Sequence, residues 1–137
     1  MAGQASWGEP PDGEAIRARA RSVIDALPAP FREHLGDVVL LVEEEADAAT
    51  LAALGLDHPL DLTGLYHGVP MGEKSSLASG SPPDRVHLYR QAILAEWIET
   101  GVRLDDLVAH VVIHEIGHHF GLSDADMHAL EDAAGPA

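Results

Sequence analysis

The sequence predicts a single α+β domain in which a small β-sheet packs on one buried helix. Three segments carry that expectation. Asp37 to Glu43 (DVVLLVE) is a short β-branched run, which reads as a buried strand. Arg85 to Arg90 (RVHLYR) sets Val86, Leu88 and Arg90 against His87 and Tyr89, the period-two alternation of a second strand. Leu104 to Phe120 carries Leu104, Leu107, Val108, Val111, Val112, Ile116 and Phe120, which cover most of a helical circumference at 100° per residue. A helix of that kind is buried nearly all round. A chain of 137 residues with 46% apolar and 23% charged residues fits one globular domain.

The remaining elements follow in order. Residues 1–12 hold Gly3, Gly8, Pro10 and Pro11 and predict a flexible tail, with Trp7 its lone large apolar residue. The domain is expected over 13–137. From Gly13, apolar residues Ile16, Ala20, Val23, Ile24 and Leu27 recur at helical spacing, and Pro28 and Pro30 are read as the stop. Glu43, Glu44 and Glu45 form an acidic cluster read as a solvated edge. Ala46 to Leu54 suits a short helix ended by Gly55. Leu62 to Val69 reads as a short strand entering a turn, and Glu73 to Pro83 as a loop. Ala92 to Ile98 suits a helical turn or two that carries Trp97 into the core. Gly121 ends the long helix. Ser123 and Asp126 then have the Ser-x-x-Asp form of a capping box, which opens a last helix from Asp124 to about Ala133.

Composition excludes several function classes. The chain has no cysteine, so disulfides, thiolate nucleophiles and cysteine-bound metal are ruled out. Eight basic residues against 23 acidic ones give a formal charge of -15. Nucleic-acid binding and anionic membranes call for the opposite sign. The N-terminus lacks the pattern of a signal peptide and no run is long enough to span a membrane, so a cytoplasmic location is expected.

The chemistry is concentrated at His114-Glu-Ile-Gly-His-His-Phe-Gly-Leu-Ser-Asp124, of the form HExxHxxGxxD. His114 and His118, four apart on a helix, share a face and can share one metal ion. Neutral imidazole is a preferred zinc ligand. Glu115 can reach a water beside the metal and act as general base. Gly121 lets the chain leave the helix and fold back, so that Asp124 offers a carboxylate as third ligand. Three protein ligands leave the open position of a catalytic zinc site. A full motif with Gly and Asp in place is far more selective than HExxH alone.

The other histidines receive plainer readings. His110 lies one turn before His114 and is an alternative ligand, with Asp124 the better completion. His119 points about 100° away from His118 and is expected to pack or support. His128 is expected to orient a ligand or face solvent. His34, His58, His67 and His87 are read as surface or strand residues. Tyr66, His87 and Tyr89 are candidates by type for stabilising an oxyanion, and Arg85 to Arg90 is the candidate sheet edge for an extended substrate.

HEIGHHFGLSD resembles the signature of the small bacterial zincin-like metallopeptidases, sometimes called minimal metalloproteases. LPAPFREHLGDVVLLVEEEAD, GLYHGVP, PDRVHLYRQAILAEW and GVRLDDLVAHVVIHE are similar to segments of that family in the same order, over roughly residues 13–131. The resemblance implies a compact minimal zincin-like fold and one zinc ion at His114, His118 and Asp124. It also implies Glu115 as catalytic acid/base and peptidase activity on a peptide or protein. The motif also resembles the metzincins whose third ligand is aspartate. Those carry a methionine turn well beyond that ligand, whereas Met127 follows Asp124 by three residues and is expected to pack the last helix. Two other readings stay open: a binding or regulatory domain with structural zinc, and a zinc amidohydrolase acting on a non-peptide amide.

Overall fold

A computed structural model describes residues 11–68 and 83–134. Helix α1 (Gly13–Asp25) starts where the Asp12 carboxylate accepts the Ala15 N–H at 2.9 Å. Helix α2 (Ala29–Leu35) follows, then strand β1 (Val39–Glu43) and helix α3 (Ala48–Leu54). A 3₁₀ turn (Pro59–Asp61) leads into strand β2 (Gly64–His67). Strand β3 (Arg85–Tyr89) passes straight into helix α4 (Arg90–Thr100). Helices α5 (Leu104–Phe120) and α6 (Asp124–Ala134) complete the described order. Residues 1–10 of the expected tail and most of the expected 73–83 loop lie outside the described residues, while Pro11 and Asp12 are not free: the Pro11 carbonyl accepts from Arg90 at 2.8 Å and Asp12 caps α1.

The sheet has the order β1-β3-β2. β3 lies parallel to β1, with Leu41 opposite His87, and antiparallel to β2, with Leu65 opposite His87. This corrects the expectation that Arg85 to Arg90 forms an edge. β3 is the central strand, and β1 and β2 are the edges. Chain order misleads here because β3 inserts between two strands that precede it.

Alternation along the strands builds two layers. Leu40, Val86 and Leu88 turn to the face covered by α1 and α5 and join one core with Ile16, Val23, Val108, Val112 and Ile116. Tyr89 and Leu65 turn to the other face and pack with Ala46, Leu51 and Ala92 in a smaller cluster around α3. α5 is the buried helix the sequence predicts: Leu107 to Ala109, Val111 to Ile113, Ile116 and Gly117 are all buried along it. Trp97 is half-buried against the main core. Met127 packs α6 into that core, as expected, and is 6% exposed.

Two corrections concern helices. Pro28 and Pro30 end α1, but they also open α2, with Pro28 as its N-cap. Proline suits a first helical turn because that turn has no use for its missing N–H. α4 is longer than a turn or two, and its C-terminus is closed by Gly101 at φ 73°. No helix among the described residues is long and apolar enough to cross a membrane.

Candidate metal centre

The stripe of α5 left outside the core carries the chemistry. His114 and Glu115 are half-buried and His118 is exposed. Their ligand atoms all lie within 4.8 Å of one another. The His114 and His118 rings stand 4.1 Å apart, as i and i+4 residues on one helix face must. The donor set fits zinc: two imidazoles suit it as direct ligands, and a carboxylate stands beside them. Burial holds His114 below the usual imidazole pKa, with the neighbouring His118 and His110 adding to that effect. This favours the neutral form that a metal requires.

Glu115 is shifted the other way. Burial raises its carboxyl pKa, while His118 and the main-chain N–H of Tyr66 pull it back down. Its setting is the close packing of α5 against β2. A Cβ on Gly64 would lie 2.8 Å from Val111 Cγ1 and 3.3 Å from Glu115 Cγ, so the bare glycine lets the helix approach the strand. Tyr89 N–H donates to Thr63 at 2.9 Å, which makes 63 and 89 a hydrogen-bonded pair of the ladder. The main-chain groups of Gly64 and Tyr66 therefore point outward from the sheet, toward Glu115.

Asp124 is the exposed first residue of α6, outside the 4.8 Å group, and its charge favours the protonated form of His114. The turn that returns it is set by sequence. Gly121 takes φ 71°, Leu122 N–H donates to Gly117 at 2.8 Å, and Gly121 N–H donates to His118 at 3.3 Å. This is a Schellman closure, which needs a left-handed residue at its corner. Asp126 N–H donates to Ser123 Oγ at 3.1 Å, forming the expected cap. α6 then packs against α5 where Met127 lies over Gly117. A Cβ at Gly117 would overlap the Met127 sulfur and come 2.7 Å from its Cγ.

The neighbouring histidines divide clearly. His110 Nδ1 lies 3.1 Å from both Glu131 oxygens, so it is held by α6. His87 Nδ1 lies 2.7 Å from Glu43 on the opposite sheet face. His119 stacks on Tyr66, centroids 4.1 Å apart and planes 16° apart, and its Nε2 is 3.9 Å from Asp84. His34, His58, His67 and His128 are exposed.

The oxyanion candidates have other partners. The Tyr66 hydroxyl donates to Asp84 at 2.5 Å. Tyr89 is buried, and its phenol is pushed up to about 12 by desolvation and by Glu43. The acidic cluster is only partly free: Glu44 accepts from Arg90 at 2.9 Å and from Gln91 at 2.8 Å. Sequence reasoning missed Asp84, the buried charged residue of the described core, at 4% exposure. It stands 18 residues from its hydroxyl partner, so no local pattern marks it.

The family model for zincin-like metallopeptidases matches residues 35–134, which span β1 through α6 and the whole HExxH segment. The chain belongs to the zincin-like metallopeptidase family. No curated protein matches it. Family membership gives this His-Glu-His group its context, and the placement of the group on α5 fits the HExxH motif.

Proposed function

We propose that the protein is a zinc-dependent peptidase with one zinc ion, in which His114, His118 and Asp124 hold the metal and Glu115 is the general base. The observation that carries this reading is the grouping of two imidazoles and a half-buried carboxylate within 4.8 Å on one helix face beside a sheet edge. Zinc, when bound, would make a water acidic enough to act near neutral pH and would polarise a substrate carbonyl. Glu115 takes the proton of the attacking water and passes it to the leaving amine. Its raised pKa makes the carboxylate a stronger base for taking that proton. The outward carbonyl of Tyr66, whose N–H serves Glu115, offers a hydrogen bond to an extended peptide lying beside β2. β2 takes over the role expected of Arg85 to Arg90.

His110 is the side chain that would close the site in a structural-zinc reading. Its pairing with Glu131 supports an open centre instead.

The test is Glu115→Gln in the zinc-loaded protein. Zinc content should stay at one per chain, while cleavage of a peptide library falls by about 10²–10⁴-fold. Undiminished cleavage would overturn the assignment of Glu115. Cleavage of small non-peptide amides but not of peptides would move the reading to an amidohydrolase.

A further inference from the structure

Asp84 poses a question of placement. A buried carboxylate is costly unless hydrogen bonds compensate it. Here it sits immediately before β3, and its main-chain oxygen accepts the Val39 N–H at 2.9 Å, which ties it to β1. Its side chain occupies space that only a glycine leaves: a Cβ on Gly68 would lie 2.6 Å from the carboxylate. Into that pocket the Tyr66 hydroxyl donates at 2.5 Å. Burial and the Asp84 hydrogen bond raise the phenol pKa, so the hydroxyl stays a donor throughout the ordinary pH range.

Tyr66 then reaches α5 twice. Its ring lies flat on His119, the residue next to His118. Its main-chain N–H acts on the Glu115 carboxylate. One strand residue thus holds both ends of the helical turn that presents the base and the second histidine. Asp84 fixes the far end of the same side chain.

We infer that Tyr66 and Asp84 are positioning residues: Asp84 locks the Tyr66 ring, and Tyr66 locks the turn from Glu115 to His119 against β2. The inference rests on the peptidase reading only for its kinetic consequence. The geometric part concerns how tightly α5 presents its metal-binding face.

The experiment compares Tyr66→Phe, Asp84→Asn and the double variant with the wild type. Three quantities are measured: the thermal midpoint of the metal-free protein, zinc affinity by chelator competition, and kcat and KM on a cleaved peptide. Groups that support metal ligands typically carry a 10–100-fold effect on metal affinity or activity. Tyr66→Phe should therefore weaken zinc binding about 10-fold and lower kcat about 10-fold, with KM within about twofold. Tyr66→Phe leaves the buried carboxylate without its donor and the double variant removes that charge, so the double variant should recover thermal midpoint relative to Tyr66→Phe. Zinc affinity and kcat should stay low in it.

Unchanged zinc affinity and kcat in variants with a lowered midpoint would reduce the pair to a structural role and overturn the inference. Recovery of all three quantities in the double variant would do the same. If Asp84→Asn does not fold, Tyr66→Phe, which keeps the ring and the carboxylate, decides alone. If the wild type cleaves no peptide yet Tyr66→Phe still weakens zinc binding, the peptidase reading falls and the positioning role stands. If the wild type binds no zinc, both fall.

Discussion

At the start of β1, the outward carbonyls of Val38, just before the strand, and Leu40 accept from Arg21 at 3.0 Å and Arg17 at 3.3 Å, two guanidinium groups sent across from α1. Along β2, the outward main chain at Gly64 and Tyr66 faces α5 and Glu115. An exposed strand edge invites pairing with another chain. At β1 long cationic side chains occupy the edge acceptors. At β2 the neighbour is the helix that carries the candidate centre, and under the proposed peptidase reading pairing there would bring an extended peptide to that centre. The same backbone hazard is blocked on one side and, in the proposed reading, would be used on the other.

The largest effect that can break this contrast lies on the β2 side. His118→Ala removes one of the two imidazoles, and zinc content and peptide cleavage should both be lost, as read by metal analysis and a cleavage assay. Retention of zinc would mean that the centre is not where α5 presents it.

Gly117→Ala comes next. Its new methyl meets Met127, so α6 must shift against α5 at a cost of about 1–3 kcal/mol, which denaturant unfolding would measure. Zinc affinity should fall with it, because Asp124 rides on α6. Unchanged stability would show that Met127 yields freely.

The β1 side gives a smaller and different result. Arg17→Ala with Arg21→Ala should cost about 1–3 kcal/mol in all, from two hydrogen bonds with charged donors that are partly solvated. Cleavage should not change, and light scattering should show more self-association as the edge is uncovered. A loss of activity without association would contradict the division between the two edges.

The smallest effect is a pH dependence. Burial raises the Glu115 pKa, so in the metal-free protein its folded state favours the protonated acid. That contribution is complete below the unfolded carboxyl pKa, about 4.3, and is lost as pH rises through the higher folded value. Glu115→Gln cannot ionise and should lack this loss. Thermal midpoints of chelated wild type and variant should converge at low pH and diverge in favour of the variant as pH rises. Parallel curves would show that the carboxyl is not desolvated.

Much of this was legible in the residues because it is local. Leu104 to Phe120 has both its helical ends and its polar stripe written at single-turn spacing, and Ser123 with Asp126 announces α6 within four residues. Gly55, Gly101 and Gly121 end three helices at positive φ, at the places where the helical patterns stop. Other parts were hidden for physical reasons. Pro28 and Pro30 carry the same letters whether a helix ends before them or starts on them. The central position of β3 depends on pairing across dozens of residues. Tyr66, Asp84 and His119 meet from a strand, the lead-in to another and a helix, so their union is a property of the fold and not of any window of sequence. The stripe His110, His114, His118 was correct as a face. Only the position of Glu131 distinguishes His110 from its two neighbours.

The insertion of β3 between two strands that precede it also has a consequence in time. β1 and β2 share no ladder of their own, so the sheet has no middle until residues 85–89 arrive. A ladder closed over such sequence separation forms late in folding, after local helices. α5 follows β3 in the chain, and its Glu115 meets Tyr66 on a strand that pairs with β3. During synthesis from the N-terminus, the histidine pair and its supporting edge are therefore brought together after the rest of the sheet exists. The order of the strands places assembly of the His114, Glu115 and His118 group after that of its scaffold.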